Sequence, residues 1–194
     1  MGYTTDFEGN ISIYPPLKAE HLAYLSAFAD TRHMARDEGK TALLPDPVRE
    51  AVGLPVGPQG MFYVGQVEDA AILNHNREPD SIPGLWCQWV PTSDGKGLEW
   101  DGGEKFYEYG NWMRFLVDNI LKPWGYELNG EIRWQGEEDE DVGVIVVENN
   151  VVQELSEEAY EYYQAEKRAD SERADLNKDV ADLLNRVKHN TPRI

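Results

Sequence analysis

Apolar and polar positions alternate from Tyr3 to Tyr14: Tyr3, Thr5, Phe7, Ile11 and Ile13 share one side, and Thr4, Asp6, Glu8, Asn10 and Ser12 the other. A period of two predicts a half-buried strand, which Pro15 and Pro16 end. The period then lengthens. Leu22, Leu25, Phe28 and Ala29 recur at helical spacing, so Lys18 to about Arg36 reads as a helix closed by Gly39, with His21 and His33 on its surface. Between Lys40 and Ile82 the periodicity is lost among five prolines and several glycines, and only Met61 to Val64 looks strand-like. This Pro/Gly-rich stretch, 40–82, reads as an irregular insertion. It serves either as a contact surface or as a cover over one face of a sheet.

The most patterned part of the chain runs from Pro83 to Gly136 and holds all six tryptophans. Leu85 to Val90 and Leu98 to Trp100 predict a β-hairpin, because Asp94-Gly95 and Gly97 between them supply the positive φ angles such a connection needs. Within the first strand Trp86 and Trp89 point to opposite faces. After Asp101-Gly102-Gly103, the residues Tyr109, Trp112, Met113, Leu116 and Ile120 form one apolar stripe of a helix that Pro123 and Gly125 terminate. Tyr126 to Gln135 alternates again, with Tyr126, Leu128, Ile132 and Trp134 on one face. Val142 to Glu148 is a β-branched run, Asn149-Asn150 is a turn signal, and Val151-Val152 opens a last strand. The order predicts an α+β domain over residues 1–154, a mainly antiparallel sheet with two helices on one face.

Residues 155–194 read differently. Ser156 is an N-cap, Glu157 and Glu158 occupy the first turn, and no Gly or Pro follows until Pro192, which predicts a long C-terminal helix. Leu176, Val180, Leu183 and Val187 are spaced 4, 3, 4, as in a coiled-coil seam that would make the protein a homo-oligomer. Continued backwards, the seam meets Arg173, Ala169, Glu166 and Tyr162, so it is apolar over its last two heptads alone. The competing reading is an amphipathic helix folded back on its own domain.

Charge narrows the functional classes. Eighteen basic residues against 36 acidic give a net charge of -18, which opposes approach to a phosphate backbone and argues against direct nucleic-acid binding. Residues 136 to 154 are the densest patch, with seven acids and no base. The run Glu137 to Asp141 lacks the spaced ligands and central glycine of a calcium loop and reads as a solvated acidic turn. The start of the chain has neither the basic residues nor the apolar core of a signal sequence. The longest aliphatic run, Val142 to Val147, is too short to span a bilayer, so no membrane partner and a cytoplasmic location are expected.

Candidate chemistry is sparse. The cluster Trp86, Trp89, Trp100, Asp101, Glu104, Phe106 and Tyr107 combines aromatic and acidic side chains beside a Gly-Gly pair that would let a ligand or partner backbone come close. Aromatic residues at strand spacing serve a core as readily as a site, and Asp101 or a neighbour suits helix capping. The four histidines are far apart and none is paired at ligand spacing, so no metal site and no cofactor is expected. The single Cys87 sits in an apolar run and excludes an intramolecular disulfide. As a nucleophile it would need positive charge beside it, which it lacks. Nucleotide-loop and nucleophile-elbow motifs are absent.

Several segments resemble a family of small, uncharacterised proteins of bacteriophages, prophages and actinobacteria. They are Gly2-Tyr3-Thr4-Thr5 with Phe7 and Gly9, Pro15-Pro16-Leu17, Pro83 to Thr92, Leu98 to Tyr107, Asn129-Gly130-Glu131 and Gln135-Gly136-Glu137. The insertion and the helix from Ser156 lie outside the resemblance. What it implies is an accessory protein that binds a protein of the host, including components of antiviral defence. Strong acidity suits steering toward a basic surface. The reading that follows is a non-enzymatic interaction protein contacting its partner through Trp86, Trp89, Trp100, Asp101, Glu104 and Tyr107. The alternatives are a small-ligand binder with an aromatic pocket, a DNA mimic, and an enzyme using Cys87 or the pair Asp101 and Glu104.

Overall fold

The computed structural model describes residues 2–65 and 70–189, the side chains of 186–189 excepted. The chain divides into two compact units, Met1–Glu154 and Leu155–Ile194. The main sheet has six strands: β1 (Thr5–Tyr14), β4 (Trp89–Pro91), β5 (Gly97–Trp100), β6 (Glu127–Gly136), β7 (Val142–Glu148) and β8 (Val151–Ser156), in the spatial order β4-β5-β1-β6-β7-β8. The pairs β4–β5, β5–β1, β1–β6 and β6–β7 are antiparallel. Helices α1 (Ala19–Ala29) and α4 (Tyr109–Leu116), the latter continued by a π-helical turn at Val117–Leu121, complete the frame, and the fold is α+β.

β1 and β6 are the axis of the sheet, matched over ten pairs from Thr5 with Gly136 to Tyr14 with Glu127. The alternation read from the sequence decides which side is inside: Ile11 and Ile13 of β1 and Leu128 and Ile132 of β6 are buried, while Glu127, Glu131, Arg133 and Gln135 are exposed. Two glycines make the close pairing possible. Gly9 (φ 112°) lies opposite Ile132, and Gly130 (φ 149°) opposite Ile11. A Cβ at Gly9 would stand 2.6 Å from the Glu131 carbonyl oxygen, and one at Gly130 would stand 2.7 Å from that of Asn10. One continuous core joins this inner face to Tyr24, Leu25 and Phe28 of α1 and to Trp112, Met113 and Leu116 of α4.

The insertion is a cover. Met61, Phe62, Val64 and Ile82 belong to the same core, and the stretch contains short elements that the sequence does not announce: α2 (Glu38–Thr41), α3 (Pro47–Ala51), a 3-10 turn (Pro58–Gly60) and β3 (Ile72–Asn74). Met61 to Val64 is not a strand. Its amides bond locally or to a side chain: Phe62 N–H to the Val56 carbonyl, Tyr63 N–H to that of Gly60, and Val64 N–H to Asp46 Oδ2 at 2.9 Å. Asp46, 2% exposed, is the hub. Its carboxylate also accepts from Arg49 N–H at 3.2 Å and Arg49 Nε at 3.1 Å, and Arg49 Nη1 donates to the Leu54 carbonyl at 2.6 Å. Tyr24 Oη, from α1, donates to the Phe62 carbonyl at 3.0 Å and ties the cover down.

Three boundaries differ from the expected ones. α1 stops at Ala29 rather than near Arg36, because Thr31 Oγ1 donates back to the Ala27 carbonyl and the buried His33 sends its N–H to the Leu85 carbonyl. Ala35–Arg36 then forms β2, paired with β3. The first hairpin strand shortens from Leu85–Val90 to Trp89–Pro91, since the Leu85 carbonyl is bonded to His33. Asp101 caps no helix: its Oδ1 accepts the Gly103 N–H at 2.7 Å in a local turn, and α4 begins six residues later behind Glu108, which adopts the left-handed conformation without a side-chain cap.

α5 (Glu157–His189) is the 33-residue helix of the second unit, and Ser156 Oγ accepts the Ala159 N–H at 3.3 Å as its N-cap.

Removing the carboxylate of Asp46 takes the acceptor from the Arg49 and Val64 amides and from Arg49 Nε, and leaves the mostly buried guanidinium without its closest counter-charge. Asp46→Ala is expected to lower the unfolding free energy by about 3 kcal/mol, read from the denaturant midpoint at unchanged slope.

Candidate functional site

The aromatic residues singled out in the sequence separate into two groups. Phe7 of β1 stands at the centre of the first. Its ring lies 5.2 Å from that of Trp89, 5.4 Å from Trp100, 5.7 Å from Phe106 and 4.9 Å from Tyr109, each edge-on. Trp89 is buried, and its Nε1 donates to the Tyr109 carbonyl at 2.9 Å, joining the hairpin to the start of α4. Trp89 and Trp100 are therefore core and half-core residues, not free binding surfaces. The second group faces water: Trp86 is 49% and Tyr107 55% exposed, and Asp101 and Glu104 are exposed as well.

Gln88, which the sequence reading passed over, holds this surface together. Its Oε1 accepts from Trp100 Nε1 at 3.0 Å, its Nε2 donates to the Glu104 carbonyl at 3.0 Å, and its own carbonyl accepts from the Asp101 N–H at 3.1 Å. These bonds lay the segment carrying Trp86 against the loop carrying Asp101 and Glu104. The frame thus binds the backbone of Asp101 and Glu104 to Gln88, two residues after Trp86, and leaves Trp86, Asp101 and Glu104 exposed.

A separate cavity of about 250 Å³ opens at the start of α4, lined by Glu108, Tyr109, Gly110, Asn111 and Glu154. Two of its lining residues are linked by hydrogen bonds that continue to Arg114: Arg114 Nη1 donates to Asn111 Oδ1 at 2.9 Å, and Asn111 Nδ2 to Glu108 Oε2 at 2.6 Å. The Glu154 carboxylate lies against Gly110, in the space a Cβ there would take. Burial raises the pKa of Glu154 and the charge of Glu108 adds to it, while Arg114 works against both. The Tyr109 hydroxyl is raised by burial and by the same carboxylates. Two acids, a phenol and an amide can accept hydrogen bonds from one cationic group.

Cys87, His21 and His33 are held inside. Cys87 is fully buried, and burial pushes its thiol up to about 12, so it stays protonated. His21 and His33 are not helix-surface residues. His21 stacks on Trp124 at 4.0 Å with Nδ1 2.8 Å from Tyr126 Oη, and burial lowers its pKa. His33 Nε2 donates to the Phe28 carbonyl at 3.0 Å, and burial lowers it to about 3. Among the described residues no three His, Cys, Asp or Glu side chains come together as a metal site, and no described helix is long and apolar enough to cross a membrane. The acidic turn is exposed but anchored: Thr4 N–H donates to Glu137 Oε1 at 2.8 Å, and Tyr3 Oη donates to Asp141.

On α5, Leu176, Val180 and Leu183 of the expected seam are exposed, and so is Leu184 beside them; the side chain of Val187 lies outside the described residues.

No family model matches the chain, and no match was found among curated proteins or among solved structures.

His33 enters the folded state neutral, with a value well below the 6.5 of the unfolded chain. Its contribution is therefore fully present above pH 6.5 and is lost as pH falls toward 3, by about 1.4 kcal/mol per pH unit. Between pH 6.5 and 5 the wild type is expected to lose about 2 kcal/mol more unfolding free energy than His33→Gln, measured by denaturant titration at the two pH values.

Proposed function

We propose that the protein acts without turnover, as an acidic binding protein that docks a basic surface of a partner protein on the exposed patch of Trp86, Asp101, Glu104 and Tyr107. The observation that carries this reading is the Gln88 frame, which ties the loop of the exposed Asp101 and Glu104 to the segment that carries the exposed Trp86. An indole left 49% exposed is a ready anchor for an interface, where tryptophan and its surrounding polar rim dominate the binding energy. The net charge of -18 supplies long-range attraction to a cationic partner. The resemblance of its segments to small phage and prophage proteins supports a protein of the host cell as that partner. The protonated, enclosed state of Cys87 supports a reading without a thiol nucleophile, and the bonds of the Asp101 N–H and the Glu104 carbonyl to Gln88 support a fixed, exposed loop as a contact surface. The reading of a planar ligand stacked between tryptophans finds less support: Trp89 and Trp100 give their edges and faces to Phe7, and neither lines the cavity at α4.

The test is affinity capture from host lysate with the wild type and with a Trp86→Ala, Glu104→Ala double variant, both shown to unfold at the same denaturant midpoint. One dominant basic protein, eluted by raised salt and bound at least about ten-fold more weakly by the variant, is the expected result. Equal capture by both proteins would remove the patch from the interface. A small molecule released from the denatured protein, with no protein captured, would replace the proposal by a ligand-binding one.

A further inference from the structure

α5 carries four large aliphatic side chains in water within nine residues: Leu176, Val180, Leu183 and Leu184 are 64%, 48%, 62% and 55% exposed. Their neighbours Asn177, Lys178, Asp179, Asp182 and Asn185 are polar, so the four form a stripe and not a generally apolar helix. Removing such side chains from water is favourable. We propose that the stripe pairs with the same stripe of a second copy of this chain, antiparallel, in a register centred midway between Val180 and Leu183. The inference stands on α5 and is independent of the patch at Trp86.

The occupant and its direction follow from the residues along the seam. In heptad terms Leu176 and Leu183 are d positions and Val180 an a position, with Leu184 at e widening the contact. Counting back, the next a positions are Arg173 and Glu166. A parallel, in-register pair would set Arg173 on Arg173 and Glu166 on Glu166. It would also lay two copies of residues 157–172, each with six acids and two bases, side by side. Like charges held face to face oppose that arrangement.

The antiparallel register avoids both conflicts. Val180 of each copy meets Leu183 of the other in two adjacent layers, and the acid-rich segments leave the contact at opposite ends. The overlapping halves, residues 173–189, carry four bases against three acids and so meet nearly neutral. A seam this short predicts a dimer that forms with rising concentration, not a permanent one.

The experiment uses the full chain with a nitroxide on Arg168→Cys, an exposed position of α5; the buried Cys87 leaves the introduced thiol as the reactive one. Light scattering over a concentration series is expected to approach twice the 22.1 kDa chain mass. The two labels, about 27 residues apart along the antiparallel pair, are expected about 40 Å from one another by dipolar spectroscopy. Leu183→Glu should return the mass to that of one chain while leaving the unfolding transition of the protein in place. A label separation below about 25 Å, a monomer at every concentration, or a dimer that survives Leu183→Glu would each overturn the proposal.

Discussion

The close pairing of β1 with β6 is the constraint on which the rest of the fold depends. Ten consecutive residue pairs fix which face of the sheet is apolar, because a slip by one residue would turn Ile11, Ile13, Leu128 and Ile132 to water. The pairing is possible where it matters because Gly9 and Gly130 present no Cβ to the opposing strand. Everything that packs on the inner face, α1, α4 and the cover formed by the insertion, takes its position from that register. So does Phe7, whose ring gathers Trp89, Trp100, Phe106 and Tyr109 around β1.

Buried polar groups then decide the details that hydrophobic pattern leaves open. Asp46 turns a proline-rich stretch into an ordered cover by satisfying two amides and a guanidinium at once. His33 ends α1 early by bonding through both its backbone and its ring. In each case the group is isolated from solvent and fully committed to partners within the fold, which is the condition under which a buried polar residue specifies structure instead of weakening it. It is also why His21, His33 and Cys87, residue types that often carry chemistry, are part of the architecture here.

On the proposed reading, function rests on two surfaces, the residues around Gln88 and the aliphatic stripe of α5. A chain that pairs through α5 carries two copies of the patch, so a multivalent or repetitive partner would be held more tightly than one patch alone could manage. Weak self-association and weak single-site docking would then combine into a selective contact.

The sequence by itself determined the α+β class, the alternating faces of β1 and β6, the hairpin with its Asp94-Gly95 turn, the apolar stripe of α4 and the long capped helix α5. All of these rest on short-range periodicity and turn chemistry, which a linear pattern carries. Of the candidate residues it singled out, Trp86, Asp101, Glu104 and Tyr107 are exposed. Only the tertiary structure decided that Trp89 and Trp100 belong to the core around Phe7, that Gln88 frames the patch, that His21 and His33 are buried, and that residues 40–65 close over the core. Those outcomes depend on hydrogen bonds and ring contacts between residues tens of positions apart, such as Gln88 with Glu104 or Asp46 with Val64. A pattern of apolar and polar letters holds no record of which distant partner a polar side chain will find.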